Sequence, residues 1–183
     1  MSHITTPSSI DAAPESSRPF LHAVEQQLGV VPNLFRLLAI SPAALEGYLG
    51  LNNALSKGKL NSQTRERIAL AVAERNDCGY CLAAHNYLGT NLAKLSAEEI
   101  NINRRGSSLD AKAAAAVEFA VSIVEHRGKV SASEIAAVQS AGYSDAEIIE
   151  IVVHVALNTL TNYVNEALDT EIDFPAVATL QAA

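Results

Sequence analysis

The sequence is poor in aromatic side chains, with four Phe, five Tyr and no Trp among 183 residues. About half of the residues (49%) are nonetheless hydrophobic, and many of these are alanines. Helices with small side chains pack at short interaxial distances. The composition therefore favours closely packed helices over a core of large aromatic side chains.

The sequence also has no basic excess and no long apolar run. Lys and Arg number 13 against 20 Asp and Glu, a net charge of -7, so the basic surface that binds nucleic acid or anionic lipid is missing. The apolar segment 148–160 is shorter than the roughly 20 residues of a membrane span and is interrupted by His154 and Asn158. Residues 1–6 show neither the basic nor the apolar part of a secretory signal. We expect a soluble, cytoplasmic protein.

Strand-like alternation between turn residues is missing as well. Residues 1–18, rich in Ser, Thr and Pro, indicate a flexible arm, and 19–183 read as a single helical domain with a C-terminal tail. Capping-box spacings mark three helix starts at Ser96 with Glu99, Ser131 with Glu134 and Ser144 with Glu147. The Ser144 cap begins the longest helix, at about 145–168. Other helices are expected at about 20–28, from 32, and at 42–57, 63–75, 78–94 and 109–126. The fold class is all-α, a compact bundle of about seven or eight helices.

The chain has only two cysteines, Cys78 and Cys81, and they form a C-x-x-C pair followed by His85. In the cytoplasm structural disulfides are rare, so such a pair is more often catalytic or metal-binding. Two neighbouring thiols can give up two electrons as a disulfide and take them back. A redox site is the first hypothesis.

Helix geometry predicts where these groups lie. With Asp77 as N-cap, Cys78 occupies the first helical position, where free N–H groups stabilise a thiolate. Cys81 and His85 follow at spacings that place all three on one helix face. His85, one turn from Cys81, can exchange a proton with it.

Glu66 is the candidate site residue on the helix that precedes the cysteines. It shares a helix face with Leu70 and Ala73, which predicts an inward carboxylate of raised pKa that can hold or pass a proton. The alternative is an exposed ion-pair partner, since Glu66 lies between Arg65 and Arg67.

The order of Glu66, the C-x-x-C pair and His85, with these spacings, resembles the active-site signature of the alkyl hydroperoxidase D and carboxymuconolactone decarboxylase superfamily, and more narrowly its peroxidase-related branch. The similarity covers roughly residues 20–177 and includes the segments 32–35, 60–68, 158–162 and 171–173.

The resemblance implies an AhpD-like helical fold, assembled as a homotrimer or homohexamer, that reduces organic hydroperoxides. It assigns attack on the peroxide to Cys81, resolution as a disulfide to Cys78, and the proton relay to Glu66 and His85. It implies no cofactor, and an electron donor that is an external dithiol or a lipoylated adaptor protein.

Two features of this sequence are at odds with what the resemblance implies: the position of Cys78 at a helix start and the presence of Tyr80. Helix-end electrostatics favours Cys78 as the more acidic thiol, whereas the family assigns attack to Cys81. In alkyl hydroperoxidase D a histidine precedes the second cysteine, and Tyr80 stands there in this sequence. A tyrosine cannot act as a base near neutral pH, so the relay is expected to be shorter or the activity weaker.

Other interpretations stay open. The same fold could serve a decarboxylase that uses Glu66 and His85 for acid–base chemistry without the cysteines. A zinc or sensor module would use Cys78, Cys81 and His85, with Glu66 or His154 as fourth ligand. His154 is expected to be a satisfied core histidine. The asparagines between 158 and 165 are expected to hydrogen-bond within the core or across subunits, and the Ala-rich segment 111–124 to form core or an oligomer interface.

Overall fold

A computed structural model describes residues 2–178 and residue 180, and in that part of the chain the fold is all-α, as predicted. A short 3-10 turn (Glu15–Ser17) precedes nine α-helices, eight of them of eight residues or more. The helices are α1 (Arg18–Leu28), α2 (Asn33–Leu38), α3 (Pro42–Ser56), α4 (Ser62–Arg75), α5 (Gly79–Asn91), α6 (Ala97–Arg104), α7 (Ala111–Glu125), α8 (Ala132–Ser140) and α9 (Asp145–Leu168).

Two of the three predicted capping boxes form. At Ser131 and Ser144 the hydroxyl accepts the N–H of the glutamate three residues on, whose carboxylate in turn accepts the N–H of the serine. Ser96 also caps its helix, but the Glu99 carboxylate turns to Arg67 Nε at 2.6 Å instead. The prediction of a full box at Ser96 was wrong because a buried ion pair competes for the carboxylate.

The junction of α4 and α5 differs from the sequence prediction by one residue. The N–H of Cys78 donates to Ala73 O and that of Asp77 to Glu74 O, the hydrogen-bond pattern of a Schellman turn. Asp77 sits in the left-handed region (φ 51°) as this turn requires. Asp77 therefore ends α4, Cys78 is the N-cap, and α5 begins at Gly79 and ends at Asn91 rather than running over 78–94.

Helix α4 lies at the centre of the bundle and contacts α5, α6, α7 and α9. Its residues from Ile68 to Glu74 are all buried, and Ile68 and Val72 pack with Phe119 of α7 and Ile151 of α9. The alanines at 113, 116 and 120 of α7 are buried too, which confirms their expected place in the core. A second cluster surrounds the two cysteines.

Chain segments outside the helices are held by polar contacts. The predicted arm reaches the end of α9, where His3 N donates to Leu168 O; its flexibility stays a prediction. Near the C-terminal end of the described residues, Ala178 O accepts from Arg104, which forms a buried ion pair with Glu74 (Nε to Oε2, 2.7 Å). Residues 1, 179 and 181–183 of the predicted arm and tail lie outside the described residues. No helix in the described part is long and apolar enough to cross a membrane.

Helix α9 is also fixed to the loop before α4. The Glu150 carboxylate accepts the N–H groups of Lys59 and Leu60 at 2.8–3.0 Å. A Cβ at Gly58 would lie 2.5 Å from Glu150 Oε2, so a side chain there would have to displace this carboxylate.

Candidate active site

Both cysteines are free thiols, buried in the N-terminal turn of α5. Because Cys78 is the N-cap, its Sγ accepts the backbone N–H of Cys81 at 3.3 Å. The cap geometry therefore places both thiols in the same turn.

His85 and Glu66 meet across the α4–α5 junction. His85 Nδ1 lies 2.9 Å from Glu66 Oε2, and each side chain is about one-fifth exposed (20% and 21%). Arg65 instead donates to backbone oxygens at the end of α3, and Arg67 pairs with Glu99. Glu66 is thus directed to His85, and among the described residues the alternative, an exposed pairing with its neighbouring arginines, is not found.

Helix α9 contributes three asparagines to the site, Asn158, Asn162 and Asn165, which we call the asparagine row. The sequence indicated their role only in part. Asn165 Nδ2 donates to Cys81 Sγ at 3.2 Å. Asn162 Oδ1 accepts Asn76 Nδ2 at 2.8 Å, and Asn158 Nδ2 donates to His154 O at 2.8 Å. These amides hydrogen-bond within the core, as predicted, and one of them, Asn165, contacts a proposed site residue directly. Their spacing on a mostly apolar helix was the one feature of the sequence that indicated a role for them.

These contacts separate the acidities of the two thiols. The hydrogen bond from Cys78 lowers the pKa of Cys81 to about 7 against the opposing effect of burial, aided by the charge of His85 and by the amides of Asn165 and Asn162. The same hydrogen bond, with burial and the charge of Cys81, raises the pKa of Cys78. The more acidic thiol is Cys81, against the helix-end expectation, because Cys78 is the cap and not the first helical residue.

The surroundings of His85 favour its charged form. Burial alone would lower its pKa, but the charge and hydrogen bond of Glu66, together with the charge of Cys81, raise the pKa of His85 above its ordinary value. When protonated, this imidazole can stabilise the Cys81 thiolate and supply a proton.

Two tyrosines surround the site differently. The hydroxyl of Tyr80 donates to Asp173 Oδ1 at 2.8 Å and accepts the N–H of Leu34 at 3.2 Å. Tyr80 therefore ties the start of α5 to α2 and to the C-terminal tail. Tyr48 of α3, which sequence reasoning missed, faces the site, since burial and the charges of Cys81 and Glu66 raise its pKa.

His154 is buried beside the site, as predicted, but it is not fully satisfied. Burial and the charge of Arg65 lower its pKa to about 4, so its ring is neutral. Its Nε2 has no hydrogen-bond partner. In the described residues no group of three His, Cys, Asp or Glu side chains could hold a metal ion.

Residues 42–106 match the carboxymuconolactone decarboxylase family. No curated protein sequence matches the chain.

Three solved structures share the fold. Uncharacterized peroxidase-related proteins from Ralstonia eutropha JMP134 and Silicibacter sp. TM1040 are each 24% identical, with TM-scores of 0.83 and 0.79. They cover 94% and 97% of this chain, and 92% of each of their own chains is covered. A cysteine-to-alanine variant of the debrominase Bmp8 in complex with 2,3,4-tribromopyrrole is 21% identical, with a TM-score of 0.79 and 94% of both chains covered.

The matched segment contains Glu66, Cys78, Cys81 and His85, and the fold extends over nearly the whole chain. The family match and the fold together confirm the resemblance to the alkyl hydroperoxidase D and carboxymuconolactone decarboxylase superfamily.

Proposed function

We propose that the protein is a thiol-dependent peroxidase that reduces organic hydroperoxides by a dithiol–disulfide cycle of Cys78 and Cys81. The observation that carries this proposal is the hydrogen-bond environment of the two thiols: Asn165 Nδ2 donates to Cys81 Sγ at 3.2 Å, whereas Cys78 is the N-cap of α5. Cys81, whose pKa is lowered to about 7, is about half ionised at pH 7, while the hydrogen bond with Cys81 and burial raise the pKa of Cys78 and keep that thiol protonated. A nucleophile and a resolving thiol are thereby distinguished in a single helical turn.

The first step is attack of the Cys81 thiolate on the terminal oxygen of the hydroperoxide. The O–O bond breaks, an S–O bond forms, and the leaving alkoxide takes a proton from the imidazolium of His85. The products are an alcohol and the sulfenic acid of Cys81. Glu66, 2.9 Å from Nδ1 of His85, orients the ring and favours its protonated state.

The second step joins the two sulfurs. Cys78 attacks the sulfenic sulfur, a disulfide forms, and the hydroxyl leaves with the Cys78 proton as water. An external dithiol then reduces the disulfide by supplying two electrons and two protons. By family resemblance the donor is a small dithiol or a lipoylated adaptor protein, and the enzyme is a cytoplasmic homotrimer or homohexamer.

The family match supports a second candidate, an acid–base enzyme acting on a carboxymuconolactone-type substrate. Such an enzyme would use Glu66 and His85 and would not need the thiols. The debrominase structure concerns a different protein, and a halogenated pyrrole is useful here as an alternative electrophile in the assay.

Thiol counting before and after one equivalent of cumene hydroperoxide tests the proposal. We expect the wild type to lose two thiols and Cys81→Ser to lose none. Cys78→Ser is the matched control, because it retains the nucleophile and should stop at a sulfenic acid that dimedone traps.

Three results would contradict the proposal. Thiols of the wild type that survive the hydroperoxide but react with 2,3,4-tribromopyrrole would indicate a dehalogenase. Full turnover of carboxymuconolactone by Cys81→Ser would establish the acid–base alternative. Stoichiometric zinc in the reduced protein, with thiols inert to peroxide, would establish the metal-binding alternative.

A further inference from the structure

The asparagine row contains two buried amide atoms that lack partners. Asn162 and Asn165 are 0% and 2% exposed, yet Nδ2 of Asn162 and Oδ1 of Asn165 form no hydrogen bond with any described residue. A buried polar atom without a partner costs about 1–3 kcal/mol, so each such atom calls for an explanation.

The orientation of both amides is fixed by their other atoms. Asn165 donates through Nδ2 to Cys81 Sγ at 3.2 Å, which leaves its carbonyl oxygen as a free acceptor. Asn162 accepts through Oδ1 from Asn76, which leaves its NH₂ group as a free donor. The amide of Asn162 also helps to lower the pKa of Cys81, so it lies near the same sulfur.

One free donor and one free acceptor next to a nucleophilic sulfur match a particular chemical group. A hydroperoxy group has an O–H that donates and oxygens that accept. A halogenated pyrrole offers an N–H donor for the carbonyl of Asn165 but no oxygen that could accept from Asn162. The unpaired atoms therefore suit a hydroperoxide with its terminal oxygen directed at Cys81.

We propose that Asn162 and Asn165 are catalytic residues: Asn165 hydrogen-bonds the Cys81 sulfur, and the unpaired atoms of both amides receive the hydroperoxy group of the substrate. Asn165 stabilises the thiolate directly, and its carbonyl accepts the O–H of the hydroperoxide. Asn162 donates to a hydroperoxide oxygen, where negative charge develops as the O–O bond breaks. The substrate part of this inference rests on the proposed function, whereas the thiolate part does not.

The thiolate part is tested by titrating Cys81 through its ultraviolet absorbance. A Cys78→Ser background leaves one thiol and keeps a hydroxyl that can hydrogen-bond to it. From a midpoint near pH 7, we expect Asn165→Leu to raise the midpoint by about one pH unit or more, because a hydrogen bond to a charged group is lost. Asn165→Asp keeps the side-chain shape and adds a negative charge, so its shift should be larger.

Thr161→Val is the matched control. Thr161 is buried on α9, and its hydroxyl bonds only Asn158 O, so its loss should leave the midpoint unchanged. Circular dichroism of each variant checks that the helices are intact. An unchanged midpoint in both folded Asn165 variants would overturn the thiolate role.

The substrate part is tested by two rates measured where Cys81 is fully ionised. For Asn162→Leu and Asn165→Leu we expect the rate with cumene hydroperoxide to fall at least tenfold and the rate with iodoacetamide to stay within about twofold. If the rates with cumene hydroperoxide and with iodoacetamide fall by the same factor, the proposal that these asparagines recognise the hydroperoxide is wrong. If the wild type does not react with hydroperoxide, the proposed function and this recognition fail together, and the titration still decides the thiolate role.

Discussion

Replacing Glu66 by glutamine removes the charge on which the proposed proton relay depends. Glutamine keeps the shape of the side chain, so the site loses a charge and no volume. Since burial favours the neutral imidazole and Glu66 is the main group opposing it, the pKa of His85 should fall. His85 would then lose its proton at a lower pH, and Cys81 would lose a cationic neighbour that lowers its own pKa.

The separation of the two groups sets the scale of the effect. At 2.9 Å between Nδ1 of His85 and Oε2 of Glu66, Coulomb's law with an effective dielectric constant of about 20 gives about 6 kcal/mol. Partial exposure of both side chains reduces this value. If only a quarter remains, ~1.4 kcal/mol, the ratio of imidazolium to imidazole falls about tenfold. We expect reduction of hydroperoxide at neutral pH to slow by several-fold, up to about tenfold.

The assay is the pH dependence of the reaction with cumene hydroperoxide, followed alongside the thiolate titration. In the wild type the active ionic state requires a pH above the pKa of Cys81, about 7, and below the raised pKa of His85. In Glu66→Gln the acid limb of the profile should move to higher pH, because the pKa of Cys81 rises. The alkaline limb should move to lower pH, because the pKa of His85 falls.

Glu125→Gln is the matched control for Glu66→Gln. Glu125 forms an ion pair of the same length, 2.9 Å to Arg75, but on the surface, so its neutralisation should leave the profile within twofold. A Glu66→Gln profile that also stays within twofold of the wild type would refute the reasoning.

Three further outcomes are expected. Alkylation of Cys81 by iodoacetamide should be half-maximal near pH 7 and fall about tenfold per pH unit below it; a midpoint at the ordinary thiol value of about 8.5 would contradict this. Glu74→Gln leaves the buried charge of Arg104 without its partner and should cost about 3–5 kcal/mol in urea unfolding, where a loss below 1 kcal/mol would show that water reaches the site. Gly58→Ala, whose Cβ meets Glu150, should cost about 1–3 kcal/mol in the same assay, and no loss would mean that the carboxylate moves aside.

The sequence predicted those parts of the fold that depend on local signals. Caps at Ser131 and Ser144 lie next to the helices they start, and each needs only residues three apart. The position of Cys78 was wrong by one residue because the end of α4 determines it. A Schellman turn uses Asp77, which from its side chain alone resembles an N-cap for the next helix.

Within the site, sequence proximity again separates what was predicted from what was not. Glu66 and His85 lie on consecutive helices joined by a tight turn, so helix periodicity directs them to the same place. Asn165 is 84 residues from Cys81, and Tyr48 lies on α3. Periodicity shows that such residues face inward, but the packing of whole helices decides which thiol or carboxylate they meet.

The tight turn between α4 and α5 has a consequence for how this site can evolve. It places the two thiols and the acid–base pair within 20 consecutive residues, 66–85, which the family segment 42–106 contains in full. The asparagine row lies outside that segment, on α9, and meets the turn through Asn76 and Cys81. If the proposed roles hold, the reactive groups and the amides that face the substrate are thereby encoded in separate parts of the chain. Proteins that keep the same thiols should therefore diverge in the electrophile they attack through substitutions on the helix equivalent to α9.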